Sequence, residues 1–211
     1  MHPLPTSRKP HQRRKEARPS ELLEAALDLF VEKGFAATRL EDVAAHAGVS
    51  KGTLYLYFDS KAALLKAVVV DGIMPLLDQT EDIITNFAGS ATELLRHLML
   101  TSWAQLGENR MSGICKLVLA EASNFPDIAA YFHTAVIERG QGLIQKALEI
   151  GIERGEFRKV DTAVAADSIF APMLKLILWQ HSFSGCCGIQ QDPRAYLEKH
   201  LDIVFNGMRL A

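Results

Sequence analysis

Residues 38–61 read TRLEDVAAHAGVSKGTLYLYFDSK, and the architecture of the whole chain can be worked out from this stretch. Thr38 and Glu41 have the T-x-x-E spacing of a capping box, which predicts a helix starting near Leu40. That helix carries Val43, Ala44 and Ala47 and must stop at Gly48, a residue type that takes a left-handed exit without steric penalty. Ser50 is placed to cap a second helix beginning at Lys51. Two helices joined by so short a glycine turn make a helix-turn-helix. Ala44 is small enough for a close crossing, and Val49 and Leu54 supply the apolar contact. Lys51, Thr53, Tyr55 and Tyr57 are left to point elsewhere.

On either side of this motif, apolar residues recur at helical spacing and strand-like alternation is essentially absent. A first helix is predicted from about Pro19 to Lys33, with Leu22, Leu23, Ala26, Leu27 and Phe30 on one face. Ser60 caps a fourth helix through Leu64, Leu65 and Val68, interrupted at Pro75. Ser90 and Glu93 form another capping box, opening a helix through Leu94, Leu98 and Trp103 that ends at Gly107. Further helices follow over Met111–Asn124, from Pro126 towards Gly155, and from the caps Asp161 and Asp192. The expectation is an all-α protein of about nine helices.

Composition bounds the function. The chain has 211 residues, 48% hydrophobic and 23% charged, ordinary for a globular protein. No apolar run is read as approaching the ~18 residues of a membrane span, and no signal peptide is read at the amino terminus, so a cytoplasmic protein without a membrane partner is expected. Net charge is −2, but the first eighteen residues carry six basic groups against Glu16 alone, a local +5. This basic end suits phosphate contact or a solvated tail equally. Three cysteines are too few for a disulfide framework. Cys186 and Cys187 are adjacent, whereas zinc ligands are normally separated by two residues or more, so no metal or other cofactor is expected.

Two late helices carry more apolar surface than one chain of this size readily covers. The run IFAPMLKLILW, from Ile169 to Trp179, is apolar nearly all round. The last helix repeats Leu197, Leu201, Val204 and Met208 as an a/d-type seam. A two-fold dimer through Leu174, Ile177, Leu178, Leu197, Leu201, Val204 and Met208 is the economical solution, and completion of a monomeric core is the alternative.

The segment GVSKGTLYLYFDSKAALL, with LLEAALDLFVEKGFAATRLEDVAAHA before it, closely resembles the amino-terminal domain of the tetracycline-repressor (TetR/AcrR) family over about Ser20 to Leu65. KLVLAEASNFPDIAAYF looks like the effector domains of members associated with multidrug efflux control. The resemblance implies a dimeric repressor that leaves its DNA operator when a small, hydrophobic effector binds. On this reading residues 1–18 are a tail, 19–64 a DNA-binding domain with its motif at about 40–59, and 65–211 an effector-binding and dimerisation domain. Lys51 is expected to donate to guanine, Gly52 to let backbones approach, and the hydroxyls of Thr53 and Thr38 to meet phosphate. Leu56 suits a thymine methyl. Tyr55 matches a family position that faces bases, and Tyr57 and Lys61 match phosphate-binding positions.

The effector site is less legible. Met99, Trp103, Phe125, Phe132, Phe170, Met173 and Trp179 suit a cavity lining, or an ordinary core. Glu121 is a candidate counter-charge for a cation, or a solvated carboxylate. Catalytic motifs are not found: there is no His-Glu-x-x-His, nucleophile elbow or phosphate loop, and Gly140-Gln141-Gly142 follows no strand. A helical enzyme, an activator, and a thiol redox sensor using Cys186 and Cys187 are the alternatives.

Overall fold

Ser50, Ser60, Ser90, Asp161 and Asp192 each close the first turn of a helix with a side-chain oxygen in the computed structural model, which describes residues 13–188 and 192–209. These caps satisfy amide groups that a helix start would otherwise leave unpaired, so local chemistry alone sets five helix boundaries. At Ser90 the capping box is complete, with Glu93 accepting in return from the Ser90 amide at 2.9 Å.

Among the described residues the helices are α1 (Arg13–Lys33), α2 (Leu40–His46), α3 (Lys51–Tyr55), α4 (Lys61–Gly72), α5 (Met74–Asn86), α6 (Ala91–Ser102), α7 (Ser112–Glu121), α8 (Pro126–Phe132), α9 (Arg139–Glu153), α10 (Thr162–Ser182), α11 (Ser184–Cys187) and α12 (Pro193–Met208). π-Helical turns at Trp103–Gly107 and His133–Glu138 extend α6 and join α8 to α9. With helices continuous through a π turn counted as one, and the single turn α11 left aside, there are ten rods where about nine were expected. No strand forms among the described residues beyond one isolated bridge between Phe157 and Arg209. Helix α1 begins at Arg13, so residues 13–18, expected as tail, are helical; residues 1–12 lie outside the described part.

The chain divides into two compact units, up to Val68 and from Val69 onward. In the first, α1 packs on α2 and α2 on α3. Its core gathers Leu22, Ala26, Phe30, Phe35, Val43 and Leu54. Gly48 takes φ +66°, the left-handed exit between α2 and α3. Thr38 departs from expectation. Arg39, not Thr38, is the residue before α2, and it makes no side-chain cap. The Thr38 hydroxyl is buried instead, 2.7 Å from the Gly34 carbonyl and 3.1 Å from that of Leu29. Tertiary acceptors have outcompeted the local cap.

In the second unit, α9 packs against α5, α6 and α10, and α12 against α6 and α10. Phe157 and Phe205 stack with ring centres 6.2 Å apart, closing the end of the core near Gly151. The seam of α12 faces inward. Leu197, Leu201 and Met208 are buried with Phe205 inside the protomer, so the expectation that they form a dimer contact is corrected. Their spacing records a core face, which the same periodicity serves equally well. Helix α10, 21 residues long, is apolar enough by length and composition alone to cross a membrane. It packs on α7, α9 and α12 within the second unit.

Candidate nucleic-acid interface and cavity

In the first unit, α3 is held by one buried residue, Leu54, and presents the rest of its surface outward. Leu56, at its end, is 83% exposed, and Tyr55 and Tyr57 are 41% and 40% exposed. A leucine so exposed between two half-open tyrosines gains nothing for the fold, which makes it informative about function. Lys51 projects from the first turn, pairs with Glu41 of α2 and lies 5.6 Å from the centre of the Tyr55 ring. The hydrogen bond between them holds the Glu41 carboxyl below its usual range and raises the Lys51 ammonium. Thr53 is half-buried and its hydroxyl meets that of Ser50 at 2.8 Å. A methyl group built on Gly52 would find open space, with Ser50 Oγ no closer than 3.8 Å. The fold therefore does not require glycine at position 52.

Two residues expected at phosphate are held by the protein itself in this structure. The Thr38 hydroxyl is engaged inside the unit, as described above. Lys61 Nζ donates to the carbonyl oxygens of Phe35, Ala36 and Thr38, the last two at 3.0 and 2.9 Å. An ammonium has three protons, and these carbonyls take them. Lys61 thus ties down the loop between α1 and α2.

The second unit holds a cavity of about 370 Å³, within the size range of small-molecule sites. Met99, Phe132, Phe170 and Met173 line it. Trp103, Glu121, Phe125 and Trp179 do not, and their expected part in it is corrected. Trp103 is buried against Gly107, and its indole N–H has no partner among the described residues. Glu121 accepts from Asn124. Phe125 precedes α8, and Trp179 donates to the Gly188 carbonyl while its ring meets Phe183 at 5.1 Å. Leu174 and Ile177, expected at a dimer contact, line the cavity; Leu178 and Val204 are half-buried.

The sequence reading missed Leu76, Leu77, Leu106, Ile144, Gln141 and Asp167 in the lining. On α10 a signal was present: Asp167, Phe170, Leu174 and Ile177 recur at helical spacing on one face. Leu106, Val136 and Ile137 come from the two π turns, which no pattern in the sequence announces. Beside the cavity, Arg139 bridges Asp78 and Glu81 of α5, fixing α9 to α5. Cys115 is a buried lining thiol, pushed up to about 12 by desolvation, and so is a poor nucleophile.

An outward-facing second motif helix in one unit and an apolar cavity in the other define a ligand-responsive helix-turn-helix regulator. The comparisons agree: residues 22–68 match the model of bacterial regulatory proteins of the tetR family, and residues 88–182 match the tetracyclin repressor-like carboxy-terminal domain. The chain belongs to the TetR family, whose members are ligand-responsive transcriptional repressors that bind operator DNA and dimerise.

Among its relatives, the transcriptional regulator YdeS of Bacillus subtilis is 28% identical over 78% of this chain and 80% of its own length. The transcriptional regulator TtgR of Pseudomonas putida is 28% identical over 72% of this chain and 74% of its own. A SmeT–triclosan complex superposes with a TM-score of 0.76 at 23% identity, covering 92% of each chain, and shares the fold.

Proposed function

We propose that α3 is the recognition helix, reading an operator major groove with Lys51, Gly52, Thr53, Tyr55, Leu56 and Tyr57. The observation that carries this reading is the exposure of Leu56, a large apolar side chain that the fold leaves in water between two tyrosines. Lys51 supplies a donor for guanine edges, Leu56 an apolar partner for a thymine methyl, and the tyrosine and threonine hydroxyls hydrogen bonds to bases or phosphates. Gly52 leaves room for the DNA backbone to approach.

The ligand that releases the operator is a small, largely apolar molecule bound in the 370 Å³ cavity. An effector acts only through different affinity for the DNA-bound and free conformations. The dimer contact falls to the outer face of α10 and α12. His200 meets the Ser168 carbonyl and Lys175 lies over the Tyr196 ring, an antiparallel pairing that brings Val164 to the same end as Ile203. These two apolar residues are 62% and 73% exposed, and each suits a contact with a second copy. The reading is of a cytoplasmic regulator rather than an enzyme, supported by relatives named as transcriptional regulators. In functional terms the domains are 19–64 for DNA and 65–211 for ligand and partner.

The test is a salt-dependent titration of the protein on DNA upstream of its own gene, beside scrambled DNA of equal length. Tight binding that prefers the native fragment is expected, with a steep loss of affinity as salt rises. Absence of binding to either DNA at low salt overturns the assignment of α3.

A further inference from the structure

The cavity lining contains one charged side chain, Asp167. No lysine, arginine or histidine lines it, so nothing there balances an anionic head group. The Asp167 carboxylate accepts from the Gln141 side chain through Oδ1, and Oδ2 has no partner among the described residues. Asp167 also makes no ion pair among the described residues. One turn along α10, Phe170 lines the same cavity, so a carboxylate and an aromatic ring stand three residues apart on one helical face. Beyond them the lining is aliphatic and aromatic, with Met99, Phe132 and Met173 in its deeper part, each nearly inaccessible to solvent.

We propose that this cavity selects an amphipathic organic cation, with its ammonium group between the Asp167 carboxylate and the Phe170 ring and its apolar body against Met99, Phe132 and Met173. The inference rests on the cavity being the effector site. A carboxylate attracts the positive charge by Coulomb's law, and the negative face of an aromatic ring adds to that attraction. Gln141 orients the carboxylate by donating to one oxygen and leaves the other for the ligand. Because Asp167 is exposed, the charge sits at the mouth of the cavity, where an ammonium keeps part of its hydration while its hydrocarbon enters. A neutral apolar ligand of the same shape gains only the second half of this arrangement.

The experiment compares two isosteric probes on the full-length protein by displacement of a fluorescent apolar dye. One is a phenylalkyl trimethylammonium ion, and the other is its neutral tert-butyl analogue. The cation is expected to bind on the order of fivefold more tightly at low salt, with the preference shrinking as salt rises. Asp167→Asn removes the preference and leaves the neutral probe's affinity unchanged. Phe170→Leu reduces the preference by a smaller factor, and Gln141→Leu, which removes the donor that orients the carboxylate, also reduces it and provides an independent readout should Asp167→Asn fold poorly. Equal binding of both probes, unchanged by these substitutions, overturns the cation proposal while the cavity assignment stands. If neither probe binds nor displaces the dye, the cavity assignment falls as well.

Discussion

Lys51 Nζ lies 2.5 Å from Glu41 Oε1, so the first residue of α3 is tethered to the first turn of α2. In the free protein the candidate base-reading ammonium is therefore occupied by a carboxylate. DNA must exchange that partner for its own acceptors. Glu41→Gln frees Lys51 and removes a negative charge from the DNA-facing side. DNA affinity should rise several-fold at low salt, and the salt slope should steepen by about 1. Fluorescence anisotropy across a salt series measures both, and an unchanged slope would mean that Lys51 meets no phosphate or base.

Leu54 and Leu56 are two residues apart and have opposite fates, 0% and 83% exposed. Leu54→Ala leaves a cavity in the small first unit and should cost about 2–5 kcal/mol in a denaturant titration. Leu56→Ala should leave the unfolding midpoint in place while weakening binding to the native operator more than to scrambled DNA. Loss of stability in the second variant would assign Leu56 to packing.

Thr38 gives a separate prediction. Its hydroxyl is buried against two main-chain carbonyls, so Thr38→Val keeps the shape and strands the acceptors. A loss of about 1–3 kcal/mol is expected in thermal or chemical unfolding. At concentrations where the variant is fully folded, its DNA affinity should match the wild type, because the side chain faces inward.

The cysteines should separate by reactivity. Cys186 and Cys187 are exposed on α11, whereas Cys115 is buried, with its thiol pushed up to about 12. The thiolate is the reacting species, so at mildly alkaline pH iodoacetamide should modify Cys186 and Cys187 and spare Cys115 until the protein is unfolded. The hydrogen bond that Cys187 shares with Cys186 raises the Cys187 thiol, so Cys187 needs a higher pH than a free cysteine. Peptide mass mapping reads the order, and early modification of Cys115 would contradict its burial.

Gly151 offers a packing test of the second unit. A methyl group there would sit 2.3 Å from the Phe157 ring and 2.8 Å from Ala91 Cβ. Gly151→Ala should destabilise by about 1–3 kcal/mol through overpacking, against the usual helix preference for alanine. Thermal unfolding monitored by circular dichroism gives the sign.

What could be read in the sequence shares one property: each feature is decided within a few residues. Ser50, Ser90, Asp161 and Asp192 cap helices because the amide they satisfy is two or three residues away, and Gly48 turns the chain because of its own φ. The outward character of Tyr55, Leu56 and Tyr57 follows from the short helix that Leu54 anchors. What could not be read is equally consistent. Thr38 found an acceptor nine residues away and Lys61 found three more than twenty residues away, so neither contact is announced by the residues beside it.

The cavity lining shows the limit most plainly. Size and apolarity selected Met99, Phe132, Phe170 and Met173 together with Trp103, Phe125 and Trp179, because core and cavity walls are built from the same residue types. Likewise, an apolar seam at helical spacing on α12 states that one face is buried without stating against what. The sequence by itself determined an all-α chain, its principal caps and turns, and the helix that faces outward. Only the tertiary structure decided that α12 turns its leucines into its own protomer and that Asp167 stands in an apolar wall. Both depend on which distant surfaces meet, and helical periodicity names a buried face but not its partner.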